Sequence, residues 1–194
     1  MINFPNGKKA ILNTNKQTKS STAANRGMSL EEDLNASNQY YLAHDMANIH
    51  KKPTPVQIVK VDYPKRSAAK ITEAYYKTPS TTDYNGVYKG YYIDFEAKET
   101  RNLNFFKLAL VHPHQVKHLK SVINHGGLAF FIIKFSAYDE VYLISAKYVI
   151  DCIDQGFKHI LYKDLKENGY RILGKYQPRL DYLACIDQYI KEVY

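Results

Sequence analysis

Residues 87–98 read VYKGYYIDFEAK, and this stretch decides how the rest of the chain is interpreted. Apolar and polar residues alternate over its second half, IDFEAK at 93–98, which is typical of a β-strand with one face in a core. On such a strand Asp94, Glu96 and Lys98 share one face, while Phe95 lies on the other. The polar face is therefore either an ion pair on a solvated sheet or one half of a metal site.

Length, composition and charge limit the class of protein. The chain has 194 residues, of which 45% are hydrophobic, and this is enough for one domain with a core. A formal charge of +8 favours polyanionic partners. Two cysteines and the lack of a long apolar segment predict a cytoplasmic protein with no membrane contact. The absence of P-loop, G-x-G-x-x-G and zinc spacings disfavours nucleotide-driven chemistry.

The positive charge is concentrated in two segments. Residues 1–27 carry five basic residues and no acidic one, and their polar composition predicts a disordered basic tail. Residues 51–79 carry seven basic and two acidic residues. The second half of that segment has no core pattern, so we expect it to project from the domain as a basic protrusion.

The order of predicted elements indicates the fold class. Helical patterns cover about 30–48, 113–124, 146–155 and 180–193, and strand patterns cover 56–63, 87–98, 128–136 and 139–145. The run 128–136 is apolar throughout, which is typical of a central strand. Helices and strands in this order predict an α/β domain.

Carboxylates at a particular spacing suggest phosphodiester chemistry. Asp83 is followed about a dozen residues later by Glu96, with Lys98 on the same predicted strand. Two converging carboxylates are what Mg²⁺ needs from a protein, and a neighbouring lysine stabilises charge on a phosphate or orients water. Because like carboxylates repel, one of them should have a raised pKa without metal. The spacing alone also fits ordinary exposed strands.

Three motifs carry a resemblance to a known family. NRGMSLEEDLN at 25–35, TTDYNGVYKGYYIDFEAKET at 81–100 and HPHQVKHLK at 112–120 resemble, in this order, the RecU family of Holliday junction resolvases. This family belongs to the PD-(D/E)XK nuclease superfamily. The resemblance implies a restriction-endonuclease-like α/β core, with a mixed central sheet flanked by helices and a projecting basic stalk. It also implies a single nuclease domain over 28–194, with the stalk at about 60–80.

The resemblance assigns roles to individual residues. It implies that the metal ligands are Thr81, Asp83, Glu96 and Gln115, and that Lys98 stabilises the transition state. Without the family, Gln115 would be an ordinary polar residue in the first turn of a helix. Glu31 stands where the superfamily often has an acidic residue near the metals, although helix capping or surface exposure would explain it equally well.

The resemblance also implies a complete activity. The protein would be a Mg²⁺-dependent endodeoxyribonuclease, with Mn²⁺ as a substitute, that resolves four-way DNA junctions as a homodimer. Lys65, Arg66 and Lys70 of the stalk would contact DNA phosphates, and Tyr75, Tyr76 and Tyr84 would lie near the DNA. Recombinase or branch-migration proteins are further expected partners, and the expected location is the nucleoid. The alternatives are a related nuclease of other specificity and a non-catalytic DNA-binding recombination modulator. His112, His114 and His118 are interpreted as helix-surface or structural residues.

Overall fold

The computed structural model describes residues 29–77 and 81–193, so the basic tail predicted over 1–27 lies outside the described residues. The helices are α1 (Leu30–Ala43), α2 (Pro113–Asn124), α3 (Ala146–Asp154), α4 (Tyr162–Asn168) and α5 (Tyr182–Val193). The strands are β1 (Asn48–Lys51), β2 (Val56–Asp62), β3 (Lys70–Tyr76), β4 (Tyr84–Tyr88), β5 (Tyr91–Thr100), β6 (Phe105–Lys107), β7 (Leu128–Phe135), β8 (Glu140–Ser145), β9 (His159–Leu161) and β10 (Tyr170–Ile172).

A six-stranded mixed sheet forms the centre of the molecule. Its strand order is β1-β4-β5-β7-β8-β10, with β5 and β7 parallel and the other neighbours antiparallel. All residues of β7 are buried, which explains why the sequence of this strand is apolar throughout. The prediction of a mixed central sheet flanked by helices is confirmed.

Each face of the sheet packs against a separate hydrophobic layer. On one face Phe95 and Phe130 lie with buried residues of α1 and α5. On the other, Phe131 and Ile133 lie with buried residues of α2, α3 and α4. Alternate residues of β7 therefore serve the two layers, as strand geometry requires.

The β4–β5 hairpin and its contact with β1 depend on two glycines. Lys89 and Gly90 both have positive φ angles, of 49° and 84°, which suits a tight hairpin turn. Gly86 faces β1 so closely that a Cβ atom there would lie 2.1 Å from the carbonyl oxygen of Asn48. The backbone approach of β1 to β4 therefore requires glycine at position 86.

The first helix is shorter than its sequence pattern predicts. Ser29 and Glu32 form the expected capping box at its start. The helix ends at Ala43 rather than near residue 48, because Asp45 adopts a left-handed backbone with φ of 53° that a helix cannot continue through. The residues that follow enter the sheet as β1.

Several short elements have no clear pattern in the sequence. The basic segment after β2 contains a strand that its sequence does not indicate, since β3 pairs antiparallel with β2 to form a two-stranded ribbon. Every residue of these two strands is exposed. The short strands β6, β9 and β10 and the short helix α4 lack the length that a periodic pattern needs to be recognised. Within the described ranges, no helix is long and apolar enough to cross a membrane.

Candidate active site

Strand β5 carries core residues on one face and polar residues on the other, as the alternation predicts. Ile93 and Phe95 are buried in the layer of α1 and α5. Asp94 and Glu96 are also buried, at 0% and 1% exposure, but their side chains contact residues of α2. The polar face of the strand is therefore not a solvated sheet surface, although Glu96 does form an ion pair with Lys98 on it.

Asp83 and Glu96 hold each other in place through the backbone. The Asp83 N–H donates to Glu96 Oε2 at 3.2 Å. In return, the Ala97 N–H donates to Asp83 Oδ2 at 3.3 Å. The register of β4 on β5 pairs Tyr84 with Phe95, so Asp83 lies opposite Glu96 at the start of β4. The two carboxylates that the sequence separates by about a dozen residues are neighbours in the fold.

Gln115 joins this pair from the first turn of α2. Its amide nitrogen donates to Glu96 Oε1 at 2.5 Å, and its carbonyl oxygen accepts from the His112 N–H at 2.9 Å. Gln115 is 5% exposed. The amide therefore caps the helix through its oxygen and contacts the buried carboxylate through its nitrogen, so the interpretation as a polar residue of the first helical turn is confirmed, and the role as a metal ligand stays a prediction.

Lys98 supplies the positive charge of the cluster. Its ammonium lies 2.8 Å from Glu96 Oε1, and its side chain is 17% exposed. Since β5 alternates, Lys98 emerges on the same face as Glu96, two residues further along. A cation here is close to the carboxylates yet still reachable from solvent.

The electrostatic balance of the site raises the pKa of Glu96 to about 7. Burial is the largest cause, and the charge of Asp83 adds to it, while Lys98 opposes the shift. The direction of this shift is the one predicted for one carboxylate without metal, but burial contributes more to it than the repulsion between the two carboxylates on which the prediction was based. The pKa of nearby Tyr84 is also raised, by burial first and then by the charges of Glu31 and Asp83.

The donors in this cluster fit a hard divalent cation. Two facing carboxylates and an amide are oxygen ligands of the type that Mg²⁺ prefers. The Gln115 amide would have to turn its carbonyl oxygen toward the cation, since its nitrogen now faces Glu96. Thr81 is half-buried, and its hydroxyl donates to the Thr82 carbonyl at 3.5 Å. In the part of the chain that is described, no group of three or more His, Cys, Asp or Glu side chains could hold a metal ion.

Glu31 lies at the edge of the same cleft. A cleft of about 170 Å³ is lined by Glu31, Asp83 and Lys98, together with parts of α1 and β5. The Glu31 carboxylate pairs with the Lys51 ammonium at 2.5 Å and is more than half exposed. The structure thus brings Glu31 to the cleft, but its present partner is a lysine of β1.

A second polar cluster beside the site was missed by the sequence interpretation. Buried Asp94 accepts hydrogen bonds from the Thr82 hydroxyl and the Tyr92 hydroxyl and pairs with Lys52 and His118. Lys52, directly after β1, and His118 on α2 lie 42 and 24 residues from Asp94 in sequence, so no local pattern connects them. For His118, the expectation of a structural role agrees with this contact.

The expected DNA-binding residues lie at the far end of the ribbon. Lys65 and Arg66 belong to the turn between β2 and β3, and Lys70 begins β3. Tyr75 and Tyr76 on β3 are 61% and 84% exposed, whereas Tyr84 is buried beneath the cleft. The ribbon therefore offers an exposed surface that is both basic and aromatic.

Comparison with known proteins gives consistent matches. The family model "Recombination protein U" matches residues 25–188. A protein of Bacillus cytotoxicus named Holliday junction resolvase RecU is 54% identical over 96% of both chains, and one of Bacillus cereus strain B4264 with the same name is 53% identical over 96% of both. The structure of Hjc, a Holliday junction resolvase from Archaeoglobus fulgidus, matches with a TM-score of 0.42 and 12% identity, over 73% of this chain and 92% of that one.

Proposed function

The chain belongs to the RecU family, and from this premise we propose that it is an endodeoxyribonuclease that resolves four-way DNA junctions by paired nicks. The observation that carries the proposal is the contact of buried Glu96 with Asp83 and Lys98, both of which line the cleft, with Glu96 Oε1 2.8 Å from the lysine ammonium. Relatives that share more than half of this sequence bear the name of that activity.

The carboxylates Asp83 and Glu96 would hold Mg²⁺, or Mn²⁺ in its place, with Thr81 and Gln115 as the further ligands. The bound cation would neutralise phosphate charge and provide hydroxide near neutral pH. The buried, facing carboxylates support this assignment, because two such charges are unfavourable beside each other unless a cation joins them. The raised pKa of Glu96, caused first by burial and then by the charge of Asp83, reflects the cost of keeping both groups charged without a cation.

Lys98 would act on the phosphate itself. Its ammonium is held beside Glu96 yet stays partly exposed, so it can reach a phosphate at the mouth of the cleft. There it would offset the charge that develops on the phosphate oxygens or orient the attacking water. Glu31, at the edge of the cleft, would help to hold water or cation once Lys51 turns toward DNA.

The ribbon would provide selectivity for branched DNA. Lys65, Arg66 and Lys70 would contact backbone phosphates, which do not depend on sequence. We propose that the domain spans 28–194, with the part of the ribbon at about 60–80 acting as a stalk that enters the open centre of the junction. Tyr75 and Tyr76 lie at the end of the ribbon opposite this turn, and there they would stack on unpaired bases.

The two-fold symmetry of a four-way junction suggests how many copies of the chain would act together. A four-way junction has two equivalent strands to nick, so two active sites related by a two-fold axis are needed, and a homodimer would supply them. We place the protein at the nucleoid in the cytoplasm, where recombinase or branch-migration proteins would be its partners. The basic tail at 1–27 would add electrostatic attraction to DNA.

Cleavage of matched substrates tests the proposal. Purified protein is incubated with a labelled mobile four-way junction and with linear duplex of the same sequence, with and without Mg²⁺, beside Asp83→Ala. We expect Mg²⁺-dependent cleavage of the junction alone, and none by the variant. Equal cleavage of linear DNA would contradict the junction proposal, and an active Asp83→Ala would contradict the site.

A further inference from the structure

Asp94 is a buried carboxylate that the proposed chemistry does not use. It is 0% exposed, and it lies two residues before Glu96 on the same face of β5. Burying a charge is costly, and a well-packed apolar residue would often serve stability as well or better. Its presence therefore calls for an explanation other than packing.

The partners of Asp94 come from every segment that builds the site. One oxygen, Oδ1, accepts from the Thr82 hydroxyl, and Thr82 directly precedes Asp83. The other, Oδ2, accepts from the Tyr92 hydroxyl at 2.8 Å and lies 2.9 Å from His118 Nε2. His118 lies one helical turn after Gln115 on α2, so Asp94 pairs with His118 as Glu96 pairs with Gln115.

Lys52 gives Asp94 a second connection to Asp83. The Lys52 ammonium lies 2.8 Å from Asp94 Oδ2 and donates to the Thr82 hydroxyl at 2.9 Å. The backbone N–H of Lys52 donates to the carbonyl oxygen of Asp83 at 2.7 Å. Lys52 therefore holds the segment that carries Asp83 at two points, the Thr82 hydroxyl and the Asp83 carbonyl. Because Lys52 also pairs with Asp94, both contacts connect this segment to Asp94.

We propose that Asp94 is the positioning residue of the active site, which fixes Asp83 and Gln115 against Glu96 through Thr82, Lys52 and His118. It touches neither substrate nor cation and acts by holding the ligand-bearing segments in register. Some residues hydrogen-bond to metal ligands and orient them without contacting the metal. Removal of such a residue typically lowers metal affinity or activity by roughly 10- to 100-fold. This inference rests on the proposed function for its Mg²⁺-binding and cleavage readouts, whereas the exchange readout does not depend on it.

Hydrogen exchange of the metal-free protein tests the positioning directly. The N–H groups of Asp83 and Ala97 are the donors that join the two carboxylates, so their exchange reports the local geometry. In Asp94→Asn we expect these two amide protons to exchange about tenfold faster, since the segment is released. The Phe131 amide of the buried strand β7 should stay as protected as in the wild type.

Measurements of Mg²⁺ affinity and of cleavage kinetics test whether the loss of Asp94 weakens the site. Calorimetric titration with Mg²⁺ should show about tenfold weaker binding to Asp94→Asn. The kcat for junction cleavage should fall by a similar factor, while KM stays within about twofold because the ribbon is intact. Glu140→Gln is the matched control, since Glu140 on β8 also accepts from two tyrosines and pairs with Arg171, away from this cleft. Glu140→Gln should leave the Mg²⁺ affinity and the kcat unchanged.

Substitutions of Thr82 make the test independent of the folding of Asp94→Asn. Thr82→Val, which removes the hydroxyl, should weaken Mg²⁺ binding, and Thr82→Ser, which keeps it, should not. The double variant Asp94→Asn with Thr82→Val should lose less than the sum of the two single losses, because the two residues contact each other and share Lys52 as a partner. Normal amide protection and normal Mg²⁺ affinity in Asp94→Asn and Thr82→Val would overturn the inference. A wild type that fails to cleave junctions would instead overturn the proposed function, since the exchange comparison needs no substrate.

Discussion

The Gln115 amide nitrogen lies 2.5 Å from Glu96 Oε1, so the first turn of α2 is joined directly to the acidic strand β5. The carbonyl oxygen of the same side chain accepts from the His112 N–H. One residue thus starts a helix and contacts the candidate metal ligand. Its removal should affect stability and chemistry together, whereas removal of an ordinary capping residue affects stability alone.

Gln115→Ala should therefore reduce junction cleavage about tenfold and lower the melting temperature by about 3 °C, the equivalent of roughly 1 kcal/mol. Ser121→Ala, at an exposed position of the same helix, is the control and should change neither. Cleavage rates and thermal melts measured on the same preparations check the prediction. A loss of stability with unchanged cleavage would show that Gln115 only caps the helix.

Removal of divalent cations should make stability depend on pH through Glu96. The folded-state pKa of about 7 exceeds the ordinary glutamate value of 4.5, so between these values the folded protein binds more protons than the unfolded chain. The contribution of Glu96 is thus fully present below pH about 4.5 and is lost as pH rises through about 7. Thermal melts in chelator should show this decline, Glu96→Gln should lack it, and added Mg²⁺ should reverse it at the upper end. Identical profiles for wild type and variant would refute the assignment.

Lys98→Met should separate chemistry from binding. Removal of a preorganised charge at a developing oxyanion costs roughly 10²- to 10³-fold in kcat. Junction affinity, measured without divalent cations, should stay within about twofold of the wild type. Lys158→Met removes an equally long cation from an exposed position elsewhere and should behave as wild type. A Lys98→Met enzyme with wild-type kcat would exclude the proposed catalytic role.

Gly86→Ala should destabilise the sheet more than Gly90→Ala. A Cβ atom at position 86 would collide with the backbone of β1, so β1 must move, and a cost of about 3 kcal/mol is expected. At position 90 no atom lies within 4 Å, and only the positive φ angle opposes alanine, at about 1 kcal/mol. Urea denaturation of both variants measures the difference, and equal costs would contradict the close approach of β1.

The ribbon should control the salt dependence of junction binding. Replacing Lys65, Arg66 and Lys70 by alanine should lower the slope of log affinity against log salt by about one for each DNA phosphate that the ribbon no longer neutralises. Lys163→Ala, on the exposed surface of α4, should leave the slope unchanged. Binding titrations at several salt concentrations decide this. An unchanged slope in the triple variant would mean that the DNA path avoids the ribbon.

Local patterns are sufficient to predict the elements that form the centre of the site. The alternation of β5, the apolar run of β7 and the Pro113 start of α2 are each contained in about a dozen residues, and the structure has all three. The pairing of Asp83 with Glu96 follows only from the family resemblance, since spacing alone fits ordinary strands as well.

The supporting cluster is beyond such patterns for a physical reason. Lys52 lies 42 residues from Asp94 in sequence, and His118 lies 24 residues away, so only the assembled sheet and helix bring them together. Asp94 itself cannot be distinguished from a solvated acid by its sequence, because strand alternation gives a face but does not say what covers it. The sequence does not show that α2 buries this polar face, and that burial is what distinguishes Asp94 from a solvated acid.

The two-faced character of β5 also limits how this protein can change during evolution. A slip of one residue would move Phe95 into the cleft and Glu96 into the hydrophobic layer, so the core and the chemistry would fail together. Selection should therefore remove insertions and deletions within this strand, because each would disrupt both the hydrophobic layer and the cleft. The ribbon is wholly exposed and belongs to neither layer, so a change in its length would disturb neither the hydrophobic core nor the cleft.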